Sequence, residues 1–145
     1  MISESRIRVR YAETDRMGIV YHANYLVWFE IARSKFLEKL GFPYEEIEKA
    51  GYMSPVADVQ LSYGTPLTYG DTAIVRTRVT KLTPAKTVYS YEVYKDGQVV
   101  GVDKPCCTGS STHCLVNAEN FKPVNQKRIM PELYAAYLEA LEASE

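Results

Sequence analysis

Asp15, Gly18, His22 and Asn24 fall in one short run, TDRMGIVYHANY, directly ahead of an apolar segment. A carboxylate in a loop at the mouth of a helix has defined chemical uses. It can attack an acyl carbon, or it can draw a proton from water. The first peptide N–H groups of a helix are unpaired within it and carry the positive end of its dipole. They can receive a carbonyl oxygen as it gains charge. Gly18 has no side chain, so a substrate and the backbone can approach closely. Each residue also has a plainer use. Thr-Asp ahead of a glycine is ordinary turn chemistry. Asn24 can cap the helix or order the loop. His22 can simply pack at the helix start, and Tyr21 reads better as a pocket wall than as an acid.

These groups need a helix to hold them. Tyr25 to Leu40 supplies it, and Glu30 is the one charged residue between Tyr25 and Ala32. A helix that is apolar nearly all round is buried, so its first two turns should be wrapped, most simply by a sheet. From Arg33 onward the segment is amphipathic. Gly41 and Pro43 mark its end.

The remaining chain alternates in the manner of strands. Arg6 to Tyr11 places Ile7, Val9 and Tyr11 against three arginines. A short helix is expected from Pro43 to Ala50, then a strand from Pro55 to Tyr63 with Ala57, Val59, Leu61 and Tyr63 on one face. Asp71 to Leu82 and Val88 to Lys95 follow. Asp96-Gly97 is a hairpin signal, with Gln98 to Val102 as the expected return strand. Asp103 to Cys107 reads as an irregular loop or bulge, and Ser110 to Val116 as the last strand. Pro131 to Ala143 should be a terminal helix with Leu133, Tyr134, Tyr137, Leu138 and Leu141 on its apolar side. A long apolar helix and about five antiparallel strands must cover each other. The expected architecture is therefore α+β, one domain over residues 1–145, with the sheet curled around the helix.

Composition narrows the function classes. There are 17 basic and 18 acidic side chains in 145 residues, which is no footprint for nucleic acid. No apolar run approaches the ~18 residues of a membrane span, and no signal peptide is visible. Three cysteines without a secretion signal point to a reducing cytoplasm. Cys106, Cys107, His113 and Cys114 raise the question of zinc. The paired spacing of zinc ribbons is absent, His113 and Cys114 should face opposite sides of a strand, and the expectation is no metal and no cofactor.

The run Asp15, Gly18, Ile19, Val20, Tyr21, His22, Asn24, Tyr25 resembles the active-site signature of the hotdog-fold acyl-CoA thioesterases, in the 4-hydroxybenzoyl-CoA thioesterase-like branch. The resemblance extends over most of the chain through the element order, with Asp103 to Cys107 as a departure. It implies hydrolysis of an acyl-CoA to a carboxylic acid and free coenzyme A, without a cofactor. In that case Asp15 is nucleophile or general base, His22 contributes its backbone N–H, and Gly18, Tyr21 and Asn24 bound the substrate. It also implies a dimer, or a dimer of dimers, with Asp15 of one protomer meeting Ser54 to Val59 of its partner. Lys81 and Lys86 then become candidates for the coenzyme A phosphates, against the plainer reading of a solvated strand face. Two rivals stand beside this reading: a thioesterase acting on acyl carrier protein, and a hotdog module that binds acyl-CoA without cleaving it, against which the intact Asp15 signature counts.

Overall fold

The computed structural model describes residues 1–143. Its elements in order are β1 (Ser3–Arg8), a 3₁₀ turn (Tyr11–Glu13), α1 (Asn24–Leu40), α2 (Tyr44–Lys49), β2 (Tyr52–Met53), β3 (Val56–Tyr63), β4 (Thr72–Leu82), β5 (Thr87–Lys95), β6 (Cys107–His113), β7 (Val116–Asn117), α3 (Gln126–Ile129) and α4 (Pro131–Glu142). Five strands form one antiparallel sheet in the order β1-β4-β5-β6-β3, and β2 pairs with β7 apart from it. Among the described residues no helix is long and apolar enough to cross a membrane.

The α+β expectation holds: α1 lies on the concave face of the sheet. Period-two alternation sends Ala73, Val75, Thr77 and Val79 of β4 inward, with Tyr89, Tyr91 and Val93 of β5 beside them. They meet Trp28, Phe29, Ala32 and Phe36 of α1. The Phe29 and Tyr91 rings stack with centroids 4.0 Å apart. Gly109 of β6 permits this closeness. A Cβ there would sit 2.7 Å from the Phe29 ring and 2.8 Å from the Gln60 carbonyl oxygen. At the end of α1, Gly41 adopts φ 87°, the left-handed conformation of a C-terminal stop.

Several expectations are corrected. α1 is not wrapped all round, because Leu26, Val27 and Ile31 form an exposed stripe opposite the buried one. β1 begins earlier and ends at Arg8; Tyr11 starts the 3₁₀ turn and is exposed. Gln98 to Val102 is not a strand. Residues 96–106 form a long loop, closed by the Val99 N–H donating to Asp103 Oδ2 and the Cys106 N–H donating to the Val93 carbonyl. The return strand is β6, which starts at Cys107 and ends at His113, short of Val116. β3 forms as expected, with Ala57, Val59, Leu61 and Tyr63 in alternate positions. As an edge strand it leaves Ala57, Val59 and Tyr63 exposed, with Leu61 half-buried. On α4 the buried residues are Leu133, Tyr137 and Ala140, while Leu138 is exposed.

Candidate active site

The Asp15 loop is built on Glu13. The Glu13 carboxylate is buried, and Oε2 accepts the Trp28 indole N–H at 2.7 Å while Oε1 accepts the Arg10 N–H at 2.8 Å. The Glu13 carbonyl accepts the Tyr21 N–H at 2.9 Å and the Asn24 side-chain amide at 2.8 Å. One residue thus ties the loop base, the helix start and the first turn of α1 together. Burial alone would raise the Glu13 carboxyl. The Arg10 N–H, the Trp28 indole and the Arg10 guanidinium outweigh it and hold the group below the ordinary carboxylate value.

Between these anchors the loop folds as a miniature hairpin. The Asp15 N–H donates to the Ile19 carbonyl and the Gly18 N–H to the Asp15 carbonyl, each at 2.9 Å. Gly18 has φ 81°, which requires a glycine. Asp15 Oδ1 accepts the Met17 N–H at 2.9 Å. The turn role of Asp15 is therefore real, and it uses one of two carboxylate oxygens.

Helix α1 starts without a side-chain cap, with Ala23 at the N-cap position. Asn24 orders the loop through Glu13 instead. Among the described residues, the N–H groups of His22 and Ala23 have no backbone acceptor. The Tyr63 hydroxyl donates to the His22 carbonyl at 3.1 Å, which pins this peptide from the other side.

Asp15 and His22 open into one cleft of about 120 Å³, whose other walls include Tyr25, Tyr63, Thr65 and Cys106. The long loop 96–106 supports this wall: the Gly64 N–H donates to the Cys106 carbonyl at 2.9 Å. Burial raises the Cys106 and Cys107 thiols, the latter to about 12. They are poor nucleophiles in this state. Among the described residues no group of three or more His, Cys, Asp or Glu could hold a metal ion.

Of the residues singled out in the sequence, Asp15 and His22 share the cleft; Gly18 and Asn24 order its loop without lining it, and Tyr21 stands exposed beside His22 with ring centroids 4.4 Å apart. Ser54 and Val59 do not reach this cleft within the chain. Ser54 lines a second cavity, and Val59 is exposed on β3. Lys81 and Lys86 are exposed at the far end of the β4–β5 hairpin. Tyr63 and Cys106 line the cleft, and Glu13 supports its loop, though none of the three was expected at this site. Only Glu13 had a local signal, an acidic residue two positions ahead of Asp15.

The second cavity, about 240 Å³, is lined by Glu30, Arg33, Ser34, Ser54, Tyr89 and His113 among others. Two of these residues, Arg33 and His113, are joined through the core by a hydrogen-bonded chain. Arg33 Nη1 donates to the Tyr91 hydroxyl at 3.2 Å, Tyr91 meets Ser111 Oγ at 2.7 Å, and Ser111 meets His113 Nε2 at 2.8 Å. Burial and the nearby Arg33 charge lower His113 to about 4, against a hydrogen bond to the Ser54 main chain. The imidazole is neutral near pH 7.

Comparison with known proteins follows the same lines. A family model described as the thioesterase-like superfamily matches residues 9–136. A Bacillus subtilis protein named putative acyl-CoA thioesterase YneP is 44% identical over 139 residues, covering 96% of this chain and 97% of the relative. A putative esterase of Aquifex aeolicus is 34% identical over 111 residues, covering 77% of this chain and 82% of the relative. The crystal structure of the DHNA-CoA thioesterase from Staphylococcus aureus superposes with a TM-score of 0.89 at 36% identity, over 99% of this chain and 94% of that one.

Proposed function

The chain belongs to the thioesterase-like superfamily, as an acyl-CoA thioesterase of hotdog fold, and we propose that Asp15 and the start of α1 carry the hydrolysis. The observation behind this is the shared cleft: the Asp15 carboxylate and the His22 peptide, with its unpaired N–H, line the same wall. A thioester carbonyl directed at the His22 and Ala23 N–H groups gains hydrogen bonds as its oxygen becomes negative. Asp15 then acts in one of two ways. As base it takes a proton from water, hydroxide adds to the carbonyl, the C–S bond breaks, and the proton passes to the thiolate of coenzyme A. As nucleophile it forms a mixed anhydride with release of the thiolate, and water hydrolyses the anhydride.

The active unit is a dimer or a dimer of dimers. β3 is a sheet edge with unpaired N–H and C=O groups, and the stripe Leu26, Val27 and Ile31 lies open on α1. In the sheet, Val56 is level with His113 and Thr87, whereas Tyr63 is level with Cys107 and Val93. A two-fold pairing of β3 edges sets the Tyr63 end of one strand beside the Val56 end of the other. The Asp15 cleft of one protomer then adjoins the Ser54–Val59 segment and second cavity of its partner, with Lys81 and Lys86 at that same end for the coenzyme A phosphates. Three free thiols, none in a disulfide, suit a cytoplasmic protein.

The test is thiol release from short, long and aromatic acyl-CoAs by wild type and Asp15→Asn. The substitution keeps the turn and removes the charge. Turnover should fall by about two orders of magnitude or more, the range set by general-base assistance, with the melting temperature little changed. A folded Asp15→Asn protein that keeps more than about a tenth of wild-type turnover contradicts the assignment.

A further inference from the structure

We infer that Tyr63 is a positioning residue for the hydrolysis: its hydroxyl, donated to the His22 carbonyl from the edge of the sheet, orients and polarises the peptide whose N–H, at Ala23, receives the developing oxyanion. The inference rests on the thioesterase reading and on the place which that reading gives to the start of α1.

The two donors at the helix start are supported from different sides. The His22 N–H belongs to the Tyr21–His22 peptide, whose carbonyl accepts the Asn24 N–H at 2.9 Å. The Ala23 N–H belongs to the next peptide, whose carbonyl is that of His22. Among the described residues this carbonyl accepts no backbone N–H. In a regular helix the N–H four residues on, that of Leu26, would take the place. Here the Leu26 N–H donates to the Ala23 carbonyl at 3.2 Å. The Tyr63 hydroxyl stands in for it, at 3.1 Å from the His22 oxygen. A trans peptide is a rigid plane, so holding its oxygen also sets the direction of its N–H. A hydrogen bond accepted by the carbonyl draws charge along the peptide and makes the N–H a stronger donor.

The hydroxyl is itself held. The Tyr63 ring meets the Tyr25 ring edge-on with centroids 5.6 Å apart, and the His22 ring at 6.2 Å. Tyr25 is buried against Trp28. The next residue, Gly64, donates its N–H to the Cys106 carbonyl, and a Cβ there would collide with the Pro105 carbonyl. The end of β3 is thus clamped to loop 96–106. Burial first, and then the nearby Cys107 thiol, raise the Tyr63 phenol above its ordinary value. The proton therefore stays on the oxygen at neutral pH. A phenol has one proton to donate, and here it is committed to His22. Tyr63 accordingly acts through the peptide and does not protonate the leaving thiolate.

Tyr63→Phe removes the hydroxyl and keeps the ring against Tyr25 and His22. Thiol release is measured from hexanoyl-CoA, palmitoyl-CoA and benzoyl-CoA with wild type and Tyr63→Phe. A weakened or misdirected oxyanion donor should lower kcat by about five- to a hundredfold, with KM within about threefold of wild type. Infrared spectra are then taken of the same thioesters, labelled with carbon-13 at the carbonyl and bound to Asp15→Asn and to Asp15→Asn/Tyr63→Phe. The carbonyl band should lie below its free position in Asp15→Asn, and part of that shift should be lost in the double variant. A side chain that only stabilised the loop would change the melting temperature and leave the band where it was. Replacing Tyr63 alone by 3-fluorotyrosine, a stronger donor of the same shape, should move the band further down and keeps the test open if Tyr63→Phe fails to fold. A kcat within about twofold of wild type, or a carbonyl band that ignores both changes at Tyr63, overturns the inference. Absence of thiol release from every thioester by wild type, with the band shifts intact, overturns the thioesterase reading alone.

Discussion

The indole N–H of Trp28 donates to a buried oxygen of Glu13, and the carbonyl of that same Glu13 holds Tyr21 and Asn24. The core of the protein and the loop that carries Asp15 are thereby joined at one residue. Asp15 sits on a surface loop, yet its foundation has the rigidity of a packed helix.

Glu13→Gln should therefore cost both stability and turnover. The amide presents a second donor to Arg10 or to Trp28, where two acceptors are needed. Loss of a hydrogen bond to a buried charged group costs about 1.5–3 kcal/mol. A displaced loop should lower kcat by at least about tenfold, since misplacement by an ångström can cost a hundredfold. Urea unfolding and steady-state kinetics of Glu13→Gln, Trp28→Phe and the double variant give the coupling. Additive losses would show that the two side chains act independently.

The same carboxyl predicts an acid sensitivity. Its folded value is depressed, so the stability it contributes is complete above the unfolded glutamate value of about 4.3 and is lost as pH falls through the lower folded value. Chemical denaturation of wild type below about pH 4.3 should show a steeper decline than Glu13→Gln. Parallel curves in that window would remove Glu13 as the cause.

His113 acts in a different window. Its folded value of about 4 lies below the ordinary 6.5 of histidine. The unfolded chain binds the extra proton between these values, so stability is complete above about pH 6.5 and falls toward pH 4, by roughly 3 kcal/mol in all. His113→Asn should flatten the dependence between pH 6.5 and 4 and leave the Glu13 window below it. An unchanged slope in the variant would contradict a neutral, buried imidazole.

Gly109→Ala tests the closest approach of sheet and helix. The added methyl meets the Phe29 ring and the Gln60 carbonyl at distances below contact, and overpacking of this kind costs about 1–3 kcal/mol. Thermal melts should show the loss; an unchanged melting temperature would mean that Phe29 can move away freely.

Light scattering at micromolar concentration should find a dimer or tetramer with no dominant monomer. An active monomer near 16.5 kDa would contradict the shared site.

Local pattern made the site loop and the sheet legible. The alternation of β4 and β5 is visible because their inward residues are apolar at every second place, and the Asp15 to Tyr25 spacing is carried by one short segment. The failures share a cause. Val99, Val100 and Val102 have strand propensity, yet they belong to an exposed loop because β6 takes the place beside β5. The first turns of α1 are apolar all round although the monomer covers only one side. The Arg33 to His113 chain depends on side chains from a helix and two strands, and nothing local in the sequence links them. His113 drew attention only as a metal ligand.

The two thiols beside the cleft have a practical consequence for measuring this enzyme. Coenzyme A release is read with thiol-reactive dyes, and such dyes attack thiolates. Cys106 and Cys107 are almost wholly shielded and held in the protonated state, which leaves half-buried Cys114 as the main endogenous target. The native protein thus contributes at most one sulfur per chain to the background of its own assay. A delayed further rise in dye signal without substrate would report Cys106 and Cys107 emerging together, a built-in gauge of unfolding during storage or heating.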